Sequence, residues 1–287
     1  MASATVRGML WMVASGALFT LLNTFLKRLS LDLDPWLVGF LRYSIGAAVI
    51  LAPVLRQGSV ALWPNAPRLQ FLRGLLHAAG IMFWFAALPM VTISELTAIG
   101  FSGPIFICLG AVLFLKERMT GARWVAVLVG FFGVLLVVAP LSGGVPSVHA
   151  GTLLMLASAP LFAGSFLVAK VLTRHDRAET MVLWQHLWTA TLLIPIAVVS
   201  WSAPALWQWG LLLLCGVLGA AGHYCVTRSF RVVDISAVQS VKFLELVWAS
   251  LLGLAMFGNM PTAATLLGGG VILASTLWLA RRESRGT

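Results

Sequence analysis

The chain alternates between long apolar runs and short polar linkers. Ten runs are long enough for a membrane-spanning helix, because about 20 apolar residues at 1.5 Å each cross the roughly 30 Å of bilayer hydrocarbon. The pattern therefore predicts an all-α integral membrane protein with ten transmembrane helices. The predicted spans are residues 7–27, 35–55, 69–89, 92–115, 120–140, 150–172, 180–200, 205–228, 234–257 and 261–280.

The apolar pattern occurs twice along the chain. Residues 12–19 (MVASGALF) return at 155–162 (MLASAPLF), 143 positions later. Residues 74–80 (GLLHAAG) return in the same way at 216–222 (GVLGAAG). A nearly constant offset over most of each half indicates an internal duplication.

The duplication predicts two five-helix repeats, residues 1–145 and 146–287. Because five is an odd number, the second repeat crosses the membrane in the opposite direction to the first. Inverted repeats of this kind are typical of secondary transporters, in which the substrate binds near the bilayer midplane between the halves. We therefore expect the functional site where the two repeats meet.

Composition and charge agree with a membrane location. Hydrophobic residues make up 60% of the chain and charged residues 10%, far from the balance of a soluble domain. The net charge of +10 is spread over linkers and forms no basic face, so we expect no nucleic-acid partner. Linkers on one predicted side hold most cations, with Arg73 and Arg123 among them, whereas Lys27 and Arg28 lie on the other. The positive-inside rule then predicts a bacterial-type inner membrane protein with both termini in the cytoplasm.

Signatures of an enzyme are missing from the sequence. Cys108, Cys215 and Cys225 lie inside apolar runs and lack the spacing of metal ligands. Neither an H-E-x-x-H nor a G-x-S-x-G motif occurs. We expect no catalytic activity, no cofactor and no metal.

Polar and aromatic side chains inside the predicted spans are the candidates for the site. An ionisable group at membrane depth is costly and normally faces the bundle interior. Lys242 and Glu245 are spaced i, i+3, which puts them on one helix face where they can neutralise each other. They form either a substrate or proton site, or a structural ion pair that locks helices. The substrate-contacting candidates are Asn23, Arg42, His77, Trp84, Tyr224, Gln239, Lys242 and Glu245.

Arg42 and His77 also have a structural interpretation. Arg42 lies near enough to the outer surface for its side chain to reach it and anchor the helix. Its repeat partner is Gln185, and the next position pairs Tyr43 with His186, so polarity recurs at this depth in both copies. His77 is a single histidine in a helix, and such a residue is more often hydrogen-bonded structure than a ligand.

Short signatures recur along both halves of the chain: Lys27, Pro35, Leu41 with Arg42, residues 85–88, Ala98, Pro104 and Glu117 in the first half, and Gly151, Lys170 and Ala237 in the second. With these signatures the chain resembles the EamA family of the drug/metabolite transporter superfamily. The second half departs from the family pattern at two places. Leu246 stands where a proline is expected, and residues 258–259 stand where an acidic residue is expected.

The resemblance implies a transporter of small metabolites, most similar to exporters of amino acids and of aromatic ones in particular. The leading hypothesis is a secondary transporter that exports amino acids or similar metabolites by alternating access around a midplane cavity, with a proton as a candidate coupling ion. One alternative is a membrane channel or facilitator without alternating access, which would show no saturable exchange. The other is a membrane-embedded enzyme, against which the short linkers and missing catalytic motifs stand.

Overall fold

The computed structural model describes residues 4–87, 90, 99–138, 150–257 and 262–285. These residues form ten α-helices and contain no β-strand. The helices are α1 Ala4–Leu29, α2 Pro35–Leu55, α3 Pro67–Ala87, α4 Gly103–Leu115, α5 Gly121–Val138, α6 Ala150–Leu172, α7 Ala178–Val199, α8 Leu206–Val232, α9 Leu244–Phe257 and α10 Ala263–Arg285. Two 3-10 segments, Ser59–Leu62 and Ser236–Phe243, join them.

The all-helical prediction is confirmed for the described part of the chain. Seven helices are long and apolar enough to cross a membrane, and α4 and α5 are shorter apolar helices. Three predicted features lie outside the described residues: the start of the fourth span at 92–98, the boundary between the repeats near 145, and Asn259.

Local sequence signals explain where α2 begins. Pro35 occupies its first turn, where a missing N–H costs nothing. The carboxylate of Asp34 accepts the N–H of Trp36 at 2.8 Å and caps the helix. The observed helix therefore has the predicted bounds.

Small residues let the helices approach closely in antiparallel pairs, α1 against α8 and α3 against α6. The ring of Phe19 lies on Gly222, and the ring of Phe162 lies on Gly80. At either glycine an ideal Cβ would come within 2.9 Å of the ring, so a larger residue would force these helices apart. Helix α2 packs on α7, and α5 packs on α10.

The predicted ninth span, 234–257, is not one α-helix. Residues Ser236–Phe243 form a 3-10 segment that continues into α9 at Leu244. Hydrophobic periodicity could not separate the two, since residues three apart share a face in both conformations. The carboxylate of Glu117 accepts the backbone N–H of Ile235 at 3.0 Å and of Ser236 at 3.1 Å, which caps the start of the segment.

The end of α4 positions this cap. Lys116 adopts a left-handed conformation with φ 56°, and the N–H of Glu117 donates to the carbonyl of Ala111 at 3.0 Å. Such a C-terminal turn satisfies carbonyls that the helix leaves unpaired and redirects the chain. It brings the Glu117 side chain onto the 3-10 segment.

Glu117, Arg123, Asp234, Ser236 and Glu283 form what we name the terminal network. The Arg123 guanidinium binds Glu283 at 2.9 Å and Asp234 at 3.2 Å, and it donates to the Ser236 hydroxyl at 3.1 Å. The network lies where α1 begins and α10 ends. It joins α5, α10 and the 3-10 segment at the terminal end of the bundle.

Arg73 and Arg123, which the topology prediction assigned to linkers, lie inside helices and are buried. Arg123 belongs to α5 and is 8% exposed. Arg73 belongs to α3 and is 1% exposed, where it donates to the carbonyl of Met181 at 3.0 Å and to Gln185 Oε1 at 2.5 Å. Sequence alone gave no partner for Arg73, because Gln185 and Met181 come from the other half of the chain.

Candidate functional site

A cavity of about 370 Å³ lies in the middle of the bundle. Helices α1, α2, α3, α4, α6, α8 and α9 contribute to its wall, so both halves of the chain line it. Its contacts on α1 and α3 come from the second half of each helix, so it extends away from the terminal end. Seven of the lining residues are aromatic, and most of the others are aliphatic; the aromatic ones are Phe19, Tyr43, Trp84, Phe85, Phe101, Phe162 and Phe166.

Six of the eight candidate residues line this cavity: Asn23, Arg42, His77, Trp84, Lys242 and Glu245. Gln239 does not, because its side-chain amide donates to the carbonyl of Ile235 at 2.7 Å and is buried against its own segment. Tyr224 does not either. Its hydroxyl donates to Glu179 at 3.2 Å and accepts from Arg228 at 3.0 Å, away from the cavity.

Lys242 and Glu245 form an ion pair at the cavity wall. Lys242 lies in the last turn of the 3-10 segment and Glu245 in the first turn of α9, and residues three apart share a face in either conformation. The ammonium group of Lys242 lies 5.4 Å from the ring centroid of Phe19, in cation–π range. Across the helix contact, Glu245 packs on Gly16, where an ideal Cβ would be 3.1 Å from Glu245 Cγ.

Tyr43, His77, His186 and His223 form what we name the imidazole cluster, beside the cavity. The Tyr43 hydroxyl and His77 Nε2 share a hydrogen bond of 2.6 Å. His223 stacks edge-on against His77 and His186, with centroid distances of 5.3 and 5.5 Å. His186 was visible in the sequence only as the repeat partner of Tyr43, and its ring lies 5.2 Å from Tyr43.

The cluster contains polar atoms without a partner. His186 Nδ1 lies 2.9 Å from the carbonyl of Val182, which only accepts, so Nδ1 carries the hydrogen and Nε2 is an acceptor. His186 Nε2 and the Nδ1 atoms of His77 and His223 lack a hydrogen-bond partner among the described residues. Among all the residues that the structure describes, no group of three His, Cys, Asp or Glu side chains could hold a metal ion.

A second depression of about 430 Å³ lies between α2, α7 and the 3-10 segment Ser59–Leu62. Its lining residues are apolar or aromatic apart from Ser44, and none is ionisable. It has no group that could orient a polar molecule, so it is not a candidate for the functional site.

Comparison with known proteins identifies the family. The model of the EamA-like transporter family matches residues 6–139 and, a second time, residues 149–281. The chain belongs to the EamA-like transporter family. A solved crystal structure of a protein with 20% sequence identity superposes with a TM-score of 0.82 over 97% of this chain and 98% of that one, so the fold is shared.

Several EamA-like relatives carry names that state a substrate. The riboflavin transporter of Rhizobium johnstonii is 33% identical over 99% of this chain and 94% of its own length. The S-adenosylmethionine uptake transporter of Rickettsia bellii is 29% identical over 90% of this chain and 88% of its length. The pseudopaline exporter of Pseudomonas aeruginosa is 30% identical, covering 96% of both chains.

Family and fold together make this protein a multi-pass membrane transporter of small molecules and point away from an enzyme. The narrower likeness to aromatic amino acid exporters finds no support, since these relatives are named for riboflavin, S-adenosylmethionine and pseudopaline.

Proposed function

We propose that this EamA-like protein is a secondary transporter that moves a small metabolite with a flat ring through the central cavity by alternating access. The observation that carries the proposal is the cavity itself. At about 370 Å³ it has the size of a ligand site, which is roughly 300–1,000 Å³. Its wall is mainly apolar, with seven aromatic side chains and a few polar groups that can orient a ligand.

Two inverted five-helix repeats, residues 1–145 and 146–287, are the basis of the proposed mechanism. The two family matches support them, because each covers one predicted repeat. The glycine contacts support them as well. Phe19 and Phe162 occupy corresponding positions, and so do Gly222 and Gly80, so the same contact is made twice with the roles of the halves exchanged.

Alternating access requires that one end of the cavity closes while the other opens. In this structure the terminal network holds the end of the bundle that carries the chain termini. We infer that this is the closed end and that the network separates in the other state. With both termini in the cytoplasm of a bacterial-type inner membrane, as the linker charges predict, the cavity faces outward here.

We infer the substrate class from the aromatic side chains that line the cavity. Aromatic side chains favour offset or edge-to-face contacts with a planar ring. The names of the riboflavin and S-adenosylmethionine transporters agree with such a ring, because both compounds contain a heteroaromatic system.

Amino acid export is a second candidate, favoured by the Lys242–Glu245 pair. A zwitterion presents the same two charges, so its carboxylate could replace Glu245 at Lys242 while its ammonium group binds Glu245. Either substrate could be coupled to a proton carried by Glu245. A channel is the remaining alternative, and it would show no saturable exchange.

Counterflow in proteoliposomes tests the proposal. Vesicles holding purified protein are preloaded with unlabelled riboflavin, S-adenosylmethionine or tryptophan, and entry of the same labelled compound is followed over time. We expect saturable, transient accumulation of riboflavin or S-adenosylmethionine, whereas empty vesicles show none. Flux without counterflow would establish a channel, and counterflow restricted to tryptophan would establish the amino acid alternative.

A further inference from the structure

Arg42 places a cation in the cavity wall without a visible counter-ion. The residue lies on α2, lines the cavity and is 5% exposed. Its Nη1 has no hydrogen-bond acceptor among the described residues. Lys242, the other cation of the wall, is already neutralised by Glu245. The described wall therefore carries one uncompensated positive charge.

The acidic residues that the structure describes all have partners other than Arg42. Of nine in the sequence, only Glu95 lies outside the described residues. The other eight have these partners: Asp32 with Arg28, Asp34 with Trp36 N–H, Glu117 with Ile235 and Ser236, Asp176 with Asn65 and Gln70, Glu179 with Tyr224, Asp234 and Glu283 with Arg123, and Glu245 with Lys242.

The guanidinium group of Arg42 is held in a fixed position. It lies over the ring of Tyr43, with 3.8 Å between Cζ and the ring centroid. On the opposite helix, an ideal Cβ at Gly219 would approach Nη1 to 2.7 Å, so only glycine leaves room for it there. A planar guanidinium that is held in this way presents its remaining N–H groups in a fixed direction, which suits two oxygens of a carboxylate or a phosphate.

We propose that Arg42 binds an oxyanion of the transported molecule, a carboxylate or a phosphate. A buried charge without a partner is unfavourable, and a bound anion supplies the partner that the described protein lacks. The inference rests on the proposed function and narrows it. The substrate carries a flat ring for the aromatic wall and one anionic group for Arg42.

Matched pairs of ligands test the proposal. Flavin mononucleotide and riboflavin share one ring system and differ in a phosphate, whereas indole-3-acetate and indole-3-acetamide differ in a carboxylate. Kd for all four is measured by isothermal titration calorimetry on purified wild-type protein. We expect the anionic member of at least one pair to bind about tenfold more tightly or better. The pair that shows the preference identifies the oxyanion.

Variants assign the preference to Arg42. Arg42→Gln should weaken binding of the anionic member about tenfold more than that of the neutral one. Arg42→Lys keeps the charge but loses the planar donor pair, so a reduced preference for the anionic member should remain. This variant still tests the inference if Arg42→Gln fails to fold. Arg28→Gln is the matched control, since Arg28 lies at the exposed end of α1 and pairs with Asp32. It should keep the full preference.

Three results would overturn the inference. The wild type could bind both members of each pair equally or bind none of the four, or the preference could persist in Arg42→Gln. If the wild type shows no preference for the anionic ligands but Glu95→Gln does, Glu95 is the counter-ion of Arg42 instead. Counterflow separates this test from the proposed function. Exchange without anion preference refutes only the role of Arg42, and anion preference without exchange refutes only transport.

Discussion

The terminal network and the cavity both contain charged side chains, and the two places differ in how those charges are paired. In the terminal network Arg123 contacts two carboxylates, and Glu117 accepts two backbone N–H groups and a hydroxyl. In the cavity only Lys242 and Glu245 neutralise each other, while Arg42 has no described counter-ion. Both places lie between the two halves of the chain.

The difference shows what each place can do. A network in which each charged group has a partner stabilises one arrangement of the helices, because separating it leaves charges unpaired. A wall with unpaired donors and acceptors has bonds left to make with a ligand. We therefore assign the holding of this conformation to the terminal network and recognition to the cavity.

Breaking the terminal network should have the largest effect on stability. Arg123→Gln leaves Glu283, 17% exposed, without its cation, and it also removes the donor to Asp234. We expect a loss of about 3 kcal/mol in the free energy of unfolding. Thermal unfolding of the purified protein in detergent should show a lower Tm.

The matched control is again Arg28→Gln. The Arg28–Asp32 pair is 2.7 Å long but 50% and 40% exposed, so its loss should cost less than about 1 kcal/mol. Equal shifts in Tm for the two variants would show that the terminal network contributes no more than a surface ion pair.

Changes to the Lys242–Glu245 pair should affect transport more than stability. Glu245→Gln or Lys242→Met alone leaves a charge unpaired in the wall, so counterflow should fall about tenfold or more. The double variant should recover expression and Tm, yet transport should stay lost. Counterflow and Tm are measured on the same preparations.

Normal transport by the double variant would make the pair a structural lock, with recognition elsewhere. If Glu245→Gln alone transports normally and its pH dependence is unchanged, neither substrate binding nor proton coupling involves that carboxylate.

The smallest effect is expected at the imidazole cluster. Tyr43→Phe removes one hydrogen bond and leaves the second nitrogen of His77 without a partner, at a cost of about 1–2 kcal/mol. Ring contacts with His77 and His186 should persist, since Phe keeps the ring. A Tm shift as large as that of Arg123→Gln would mean that the cluster, like the terminal network, holds the fold together.

The helices were predictable where one physical rule decides them. Residues 35–55 and 150–172 were predicted with the bounds that α2 and α6 have, because an apolar run of bilayer length is interrupted only where polar residues cap or link it. The prediction of one α-helix for the ninth span was wrong, because the i, i+3 spacing of Lys242 and Glu245 fits both an α-helix and a 3-10 segment. Only the cap from Glu117, which is distant in sequence, distinguishes them.

The sequence predicted the polar residues of the site at membrane depth, but it did not predict the groups that these residues contact. Lys242, His77 and Arg42 were recognisable because ionisable groups are rare inside apolar runs. Which atoms they bind depends on helices brought together from both halves, as with Arg73 and Gln185. Sequence spacing predicts such contacts only when both residues belong to one helix.

Accessibility of the cavity from each side of the membrane tests the central claim most directly. Ser158 lines the cavity, and Ser158→Cys is a small change that can be made after replacing the buried Cys108, Cys215 and Cys225. Labelling with an impermeant thiol reagent should occur from the side opposite the termini. Combining it with Arg123→Gln should add labelling from the terminal side. Equal labelling from both sides of the otherwise unchanged protein, or no added labelling when the terminal network is broken, would contradict alternating access.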